Sequence, residues 1–366
     1  MGDLMRLVTV LLIGALLMFA ATGCDNDGNE EFNRYSDSIF DTFDTFVQFV
    51  AYAESEEEFR EYFEHAHERL KELHQLFNIY HDYEGVNNIK TINDQAGIAP
   101  VEVEQEIIDL VLFGREWSEK TGGKVNIALG PVLEIWHYYR EEALFDPSSA
   151  ELPPMVRLQE AAEYTDIEKI IVDEEQSTVF LPEPEMSLDV GAVAKGYAME
   201  LVARELIDMG LEAAIISAGG NIKTIGQPKE ADRDRWGVGI QDPDETVVSS
   251  GGDNLLDVIY LAEGSVDTSG DYQRYYRVNG DMYHHLIDPD TLMPANHYRA
   301  VTVVATDSAP ADFMSSALFL VPFDESLALA EGKDQFEALW VFPDGEIKMT
   351  DGMQDYLQSY GATRQE

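Results

Sequence analysis

Cysteine is nearly missing from this sequence. Its 366 residues include one, Cys24, so an intramolecular disulfide, a zinc–thiolate site and a Cys-ligated cluster are excluded. Positive charge is scarce as well: 24 Lys and Arg stand against 70 Asp and Glu, a formal net charge of −46. A surface that acidic repels phosphate backbones and anionic lipid, and no nucleic-acid partner is expected. Internal repeats are absent, as is any linker long enough to separate independent domains. What is there is a chain with 45% hydrophobic and 10% aromatic residues, enough for a sizeable core. Its length suits one large domain or two intimate lobes.

The N-terminus reads as an address. Arg6 supplies a thin positive region. Residues 7–21 form an apolar run of about 15 residues, short of the roughly 20 that span a bilayer. Ala21, Thr22, Gly23 and Cys24 follow. Small residues ahead of Cys resemble a lipobox, in which Cys24 is lipidated and becomes the new N-terminus. A plain signal peptide or an uncleaved anchor is the alternative. On the lipoprotein reading, residues 1–23 are the signal peptide and 24–37 the lipidated Cys with a polar tether. Residues 38–350 are then the folded domain and 351–366 a C-terminal tail. The protein would be extracytoplasmic, lipid-anchored to a bacterial cell membrane.

Apolar spacing predicts a first strand over 39–53, aromatic and β-branched throughout. A helix follows over 55–77, with Ser55 as N-cap and Glu58 completing a capping box. A second helix runs over 104–120, stopped by Gly122 and Gly123. Gly130-Pro131 marks a turn or helix start. Residues 140–165 are acidic and Pro-containing, a surface insertion. Further expectations are a hairpin over 170–181, a helix over 191–209, a buried strand over 211–217, hairpin loops over 227–255, and strands with one helix near 311–331. The class is α+β, mixed sheets with flanking helices.

Five constellations can carry chemistry. Asp189 to Tyr197, DVGAVAKGY, leads from a strand through a turn into a helix; free N–H groups there and Lys195 suit a phosphate, though an exposed Lys at a plain junction reads the same way. Ala218, Gly219, Gly220 and Asn221 permit close backbone approach. Thr268, Ser269, Gly270, Asp271 and Tyr272 put hydroxyls at a strand end. His284 and His285 are adjacent, and in a strand they point to opposite faces. One can be structural while the other faces a site as a base. Finally, a helix starting near Ala311 places Asp312 and Ser316 four apart on one face, hard oxygen donors suited to Mg²⁺ near a helix start.

In this order and wording the five runs resemble the FAD:protein FMN transferase family, the ApbE family of periplasmic lipoproteins. The segment Asn126 to Pro131, with Trp136 after it, also resembles that family. The resemblance covers about residues 38–350. It implies a T-fold-like domain that moves FMN from FAD onto a Ser or Thr hydroxyl of a target protein, forming a phosphoester and releasing AMP. By resemblance, Asp312 and Ser316 bind Mg²⁺ (with Mn²⁺ as the alternative), Ser315 lies near, and the carbonyl of Ala192 is a third ligand. Asp189, Lys195, Lys124, Val125, Asn126 and Ile287 contact FAD. Tyr80 stacks on the isoalloxazine and Phe43, or Phe40 three residues earlier, packs beside it. His285 is the general base. The partner implied is an extracytoplasmic electron-transport subunit with an acceptor Thr or Ser. Three departures from the family pattern stand out: Phe43-Asp44-Thr45 replaces the common Met-Gly-Thr, Ser316 replaces a common Thr but keeps the hydroxyl, and Leu292 stands where Gly usually follows Thr291. Two other functions fit the same residues, an FAD pyrophosphatase giving FMN and AMP, and a flavin-binding lipoprotein without catalysis.

Overall fold

The chain enters the fold as a hairpin, where one strand over 39–53 was expected. Strands β1 (Asn33–Thr42) and β2 (Thr45–Ala53) pair antiparallel. Phe43 and Asp44 both have φ near +50°, the left-handed geometry of a two-residue hairpin turn. That turn was hidden because neither residue is Gly or Asn. Since β1 begins at Asn33, residues 33–37 belong to the sheet and not to the tether, whose polar composition concealed an edge strand. The computed structural model describes residues 32–244, 254–332 and 335–365. The signal peptide and Cys24 lie outside these described residues.

Helix α1 (Glu56–Leu76) follows, capped by Ser55, whose hydroxyl accepts from the Glu58 N–H at 3.2 Å. Glu58 turns back to the Glu54 N–H instead of Ser55, so the expected capping box is displaced by one residue. Next come α2 (Ile89–Asp94), β3 (Val101–Glu102) and α3 (Gln105–Lys120). Helix α4 (Gly130–Phe145) starts at Gly130-Pro131, and α5 (Met155–Ala162) packs on it. The expected surface insertion at 140–165 is thus partly structural: Leu158 is buried with Trp136 and Tyr139. Strands β4 (Ile171–Asp173) and β5 (Thr178–Phe180) form the expected hairpin, which β3 joins.

Helix α6 (Ala194–Asp208) leads into β6 (Ala214–Ala218) and β7 (Asn221–Ile225). Strands β8 (Trp236–Gln241) and β9 (Leu255–Leu261) pair with each other. After β10 (Gly264–Gly270) come two small ribbons, β11 (Tyr275–Val278) with β12 (Asp281–His284), and β13 (Ile287–Asp288) with β14 (Met293–Pro294). Strand β15 (Ala300–Ala305) precedes α7 (Ser308–Phe319) and α8 (Phe323–Glu331), two helices where one was expected, divided at Pro322. Strands β16 (Phe336–Val341) and β17 (Ile347–Met349) complete the order.

The main sheet runs β1-β2-β6-β7-β10-β15-β16-β17, antiparallel at every pair. Strand β15 explains its own composition. Val301, Val303 and Ala305 pack under the helices, whereas Ala300 and Val304 pack toward β8 and β9. A strand covered on both faces is mostly apolar, and its one polar side chain, Thr302, is paired with the Thr268 hydroxyl at 2.9 Å. The C-terminal residues also belong to the fold, not to a free tail: Leu357 bridges to Ile259, and the Tyr260 N–H donates to the Tyr356 carbonyl at 2.8 Å. Among the described residues no helix is long and apolar enough to cross a membrane.

Candidate active site

A cavity of about 300 Å³ opens at one end of the main sheet. Three turns meet there: Phe43-Asp44 between β1 and β2, Gly219 between β6 and β7, and Ser269-Gly270 at the end of β10. Gly219 is required by crowding and conformation together. Its φ is +55°, and a Cβ there would lie 2.2 Å from Thr45 Oγ1.

One wall is the start of α6. The loop before it is held by Asn93, whose side chain donates to the Leu188 carbonyl at 3.0 Å and accepts from the Leu188 N–H at 2.7 Å. No side chain caps α6 at Val193, and Gly191, Ala192, Ala194 and Lys195 all line the cavity. Burial pushes the Asp189 carboxyl above its usual range, opposed by the Gly191 N–H donating to Oδ1 at 2.8 Å.

Helix α7 crosses α6 closely. A Cβ on Gly196 would lie 2.4 Å from Asp312 Cβ, so only Gly fits between the helices. In return the Gly196 N–H donates to Asp312 Oδ2 at 2.8 Å. Glu200 of α6 makes a 2.9 Å ion pair with Lys223 of β7 and accepts from the Ser308 N–H at 3.0 Å, which fixes where α7 begins. Helix α7 starts at Ser308, three residues before the expected position. Asp312 therefore sits one turn inside the helix, and α7 offers no open N-terminus beside it. Ser269 links to Ser315 at 2.9 Å and to Ser316 at 3.2 Å, and the Ser315 hydroxyl donates to the Asp312 carbonyl at 2.9 Å.

Behind this cluster lies Asp267, fully buried, bonded to Asn221 and Ser265. Burial first, then the neighbouring Asp312, pushes its carboxyl well up. Among the described residues no three His, Cys, Asp or Glu side chains converge as a metal cluster. The carboxylates lining the cavity are Asp44, Asp189 and Asp312, and Thr268, Ser269 and Ser316 add hydroxyls.

The adjacent histidines differ as expected. The His284 Nε2–H donates to the Ala295 carbonyl at 2.6 Å and Nδ1 accepts from the Leu286 N–H at 3.2 Å. Both nitrogens are used. His285 Nδ1 is buried with no partner. Burial, then Arg274, pushes the His285 imidazole down to about 3, so it is neutral around pH 7.

The sequence pattern of the ApbE family matches residues 43–340. This chain belongs to the ApbE family. It is 32% identical over 283 residues to the FAD:protein FMN transferase of Treponema pallidum, covering 74% of this chain and 75% of that one. It is 29% identical over 263 residues to the enzyme of the same name from Klebsiella pneumoniae, covering 71% and 77%. Among solved structures, the ApbE protein of Thermotoga maritima is similar with a TM-score of 0.76 and 28% identity, over 88% of this chain and 99% of that one. The flavin transferase ApbE of Vibrio cholerae shares the fold, with a TM-score of 0.72 and 21% identity over 89% and 100%.

The positions that the ApbE resemblance singled out converge on the cavity. Phe43, Tyr80, Lys124, Val125, Asn126, Asp189, Ala192, Lys195, His285, Ile287, Asp312 and Ser316 all line it. Ser315 stands just behind, buried, and Phe40 points into solvent at 72% exposure. Several of these side chains are already engaged. Lys124 is paired with Asp288 and Asp290, which clamps the Ile287 turn to the 124–126 loop. The Asn126 amide donates to the Thr165 carbonyl and accepts from the Ala128 N–H, both at 2.8 Å. Tyr80 stacks on His137 with ring centroids 4.9 Å apart. Leu292 adopts φ +60° where the family favours Gly; Trp136 holds it there, its Nε1–H donating to the Leu292 carbonyl at 3.0 Å.

Sequence reasoning missed His137 and Arg140, and noted Arg274 only as following the Thr268–Tyr272 run without giving it a role; all three line the cavity. His137 and Arg140 are one helical turn apart on the face that carries Leu133 and Trp136, a spacing visible in the sequence once 130–145 is read as a helix.

Proposed function

We propose that this protein transfers the FMN half of FAD to a Ser or Thr hydroxyl of a partner protein, forming a phosphoester and releasing AMP. The observation that carries the reading is that all five separated runs line one cavity with an oxygen-donor end, an aromatic end and a neutral imidazole. Tyr80, Phe43 and Ile287 offer apolar faces to the flavin ring. Lys195 and the positive end of α6 face the diphosphate. The acceptor oxygen attacks the flavin-side phosphorus, and the bond from that phosphorus to the bridging oxygen breaks. AMP leaves with the bridging oxygen, and the hydroxyl proton passes to His285.

The donor set of Asp312, Ser316 and the Ala192 carbonyl is all hard oxygen, which fits Mg²⁺ or Mn²⁺ better than a soft metal. Such an ion would offset diphosphate charge in the transition state. Ser315 would support it through Ser269 and the Asp312 carbonyl. Export and lipidation at Cys24 complete the proposal: an extracytoplasmic enzyme anchored to the cell membrane, acting on an electron-transport subunit.

AMP release, followed by chromatography with FAD and Mg²⁺, tests the function. Release that requires an acceptor protein and stops with chelator is expected. Steady FMN and AMP formation without acceptor would assign a pyrophosphatase instead, and bound FAD that never turns over with a panel of acceptors would assign a flavin-binding protein.

A further inference from the structure

Four Lys or Arg side chains line the cavity. Lys124 is held by Asp288 and Asp290, and Arg140 by His137 and Glu141. Lys195 and Arg274 have no hydrogen-bond or ion-pair partner among the described residues. In a chain with 70 acidic residues against 24 basic ones, a guanidinium on a cavity wall without a carboxylate keeps its donors open for an incoming anion.

Arg274 is placed by its neighbours in the chain. It follows the turn after β10, whose Ser269 bonds Ser315 and Ser316. It precedes β11, whose partner strand β12 ends at His284. It lines the same cavity as Tyr80, Asp189 and His285.

We infer that Arg274 grips the diphosphate of the incoming FAD, a substrate-binding role beyond the residues named by family resemblance. The inference rests on the flavin-transfer reading. A planar guanidinium matches phosphate oxygens in bidentate fashion. Lys195 and the positive end of the α6 dipole add to the attraction for the same group.

Binding of FAD and of riboflavin, which has no phosphate, separates this role from a structural one. Quenching of flavin fluorescence by the full-length protein gives both affinities. Arg274→Gln should weaken FAD by about tenfold or more and leave riboflavin unchanged, and Arg274→Lys should recover part of the loss. Equal weakening of both ligands would overturn the inference in favour of pocket shape. Unchanged FAD affinity with a raised KM for the acceptor would overturn it in favour of partner recognition. If the wild-type protein binds FAD yet releases no AMP with any acceptor, the transferase reading fails. The split between FAD and riboflavin still decides what Arg274 does.

Discussion

Two helix N-termini, those of α6 and α7, lie close together and are treated in opposite ways. Helix α7 is closed: Asp307 accepts from the Ala309 N–H at 2.9 Å, Glu200 accepts from the Ser308 N–H, and Arg204 pairs with Asp307 at 2.8 Å. Helix α6 has no side-chain cap, and its first residues line the cavity. Exposed helix-end N–H groups need partners. At α7 they come from Asp307 and Glu200, away from the cavity; at α6 the Ala194 N–H goes to the Val190 carbonyl and the Gly196 N–H to Asp312, a carboxylate that itself lines the cavity. The two adjacent histidines repeat the lesson, His284 with both nitrogens bonded and His285 with a buried nitrogen unpartnered. His284 holds the turn, and His285 faces the cavity.

The sharpest way to break this contrast is at Asp312, where the two helices meet. Asp312→Asn keeps an oxygen for the Gly196 N–H but loses the carboxylate. Transfer should fall by about 10²–10³-fold with little change in thermal midpoint. A variant that retained full AMP release would remove Asp312 from the site. The histidine pair comes next. His285→Ala should reduce transfer by about 10²-fold or more while FAD still binds. His284→Ala should instead cost stability, about 1–3 kcal/mol, read by urea denaturation, because it strands the buried Ala295 carbonyl. If His284→Ala were the dead but stable variant, the assignment would be reversed.

Removing the α7 cap sharpens the comparison from the other side. Asp307→Ala should cost about 1 kcal/mol of folding stability and leave riboflavin affinity unchanged. Matched loss of riboflavin binding would mean that the two helix starts are not separate in function.

A further effect concerns pH. His285 has a folded pKa of about 3 against an ordinary 6.5, so the unfolded chain takes up the proton first. Its contribution to stability is complete above about 6.5 and is lost as pH falls from there toward 3. His285→Asn should flatten the acid limb of stability relative to the parent, which other buried histidines will still shape. An unchanged acid limb would show that the imidazole is not buried as described.

Much of the site was legible in the sequence because its residues lie in short runs whose neighbours are glycines required by close approach. Gly196 beside Lys195 and Gly219 two residues before Asn221 are examples. The α+β class followed from interleaved helical and strand spacing. The hairpin at Phe43-Asp44 was not legible, because its left-handed turn uses residues that do not advertise it. Nor was the earlier start of α7: Asp307 is an ordinary N-cap residue, but Ala311 looked equally good without Glu200 to fix the first N–H. His137, Arg140 and Arg274 were hidden for a third reason. They reach the cavity only after the 130–145 helix and the turn after β10 are folded against segments distant in sequence.

The central claim is that the unsatisfied groups around this cavity serve flavin transfer. The most direct measurement is the mass of an acceptor domain carrying a target Thr after incubation with the protein, FAD and Mg²⁺. A gain equal to FMN, absent with chelator and absent with Asp312→Asn, is predicted. An unmodified acceptor across a panel of target domains, with FAD either intact or hydrolysed to FMN and AMP, would contradict the claim.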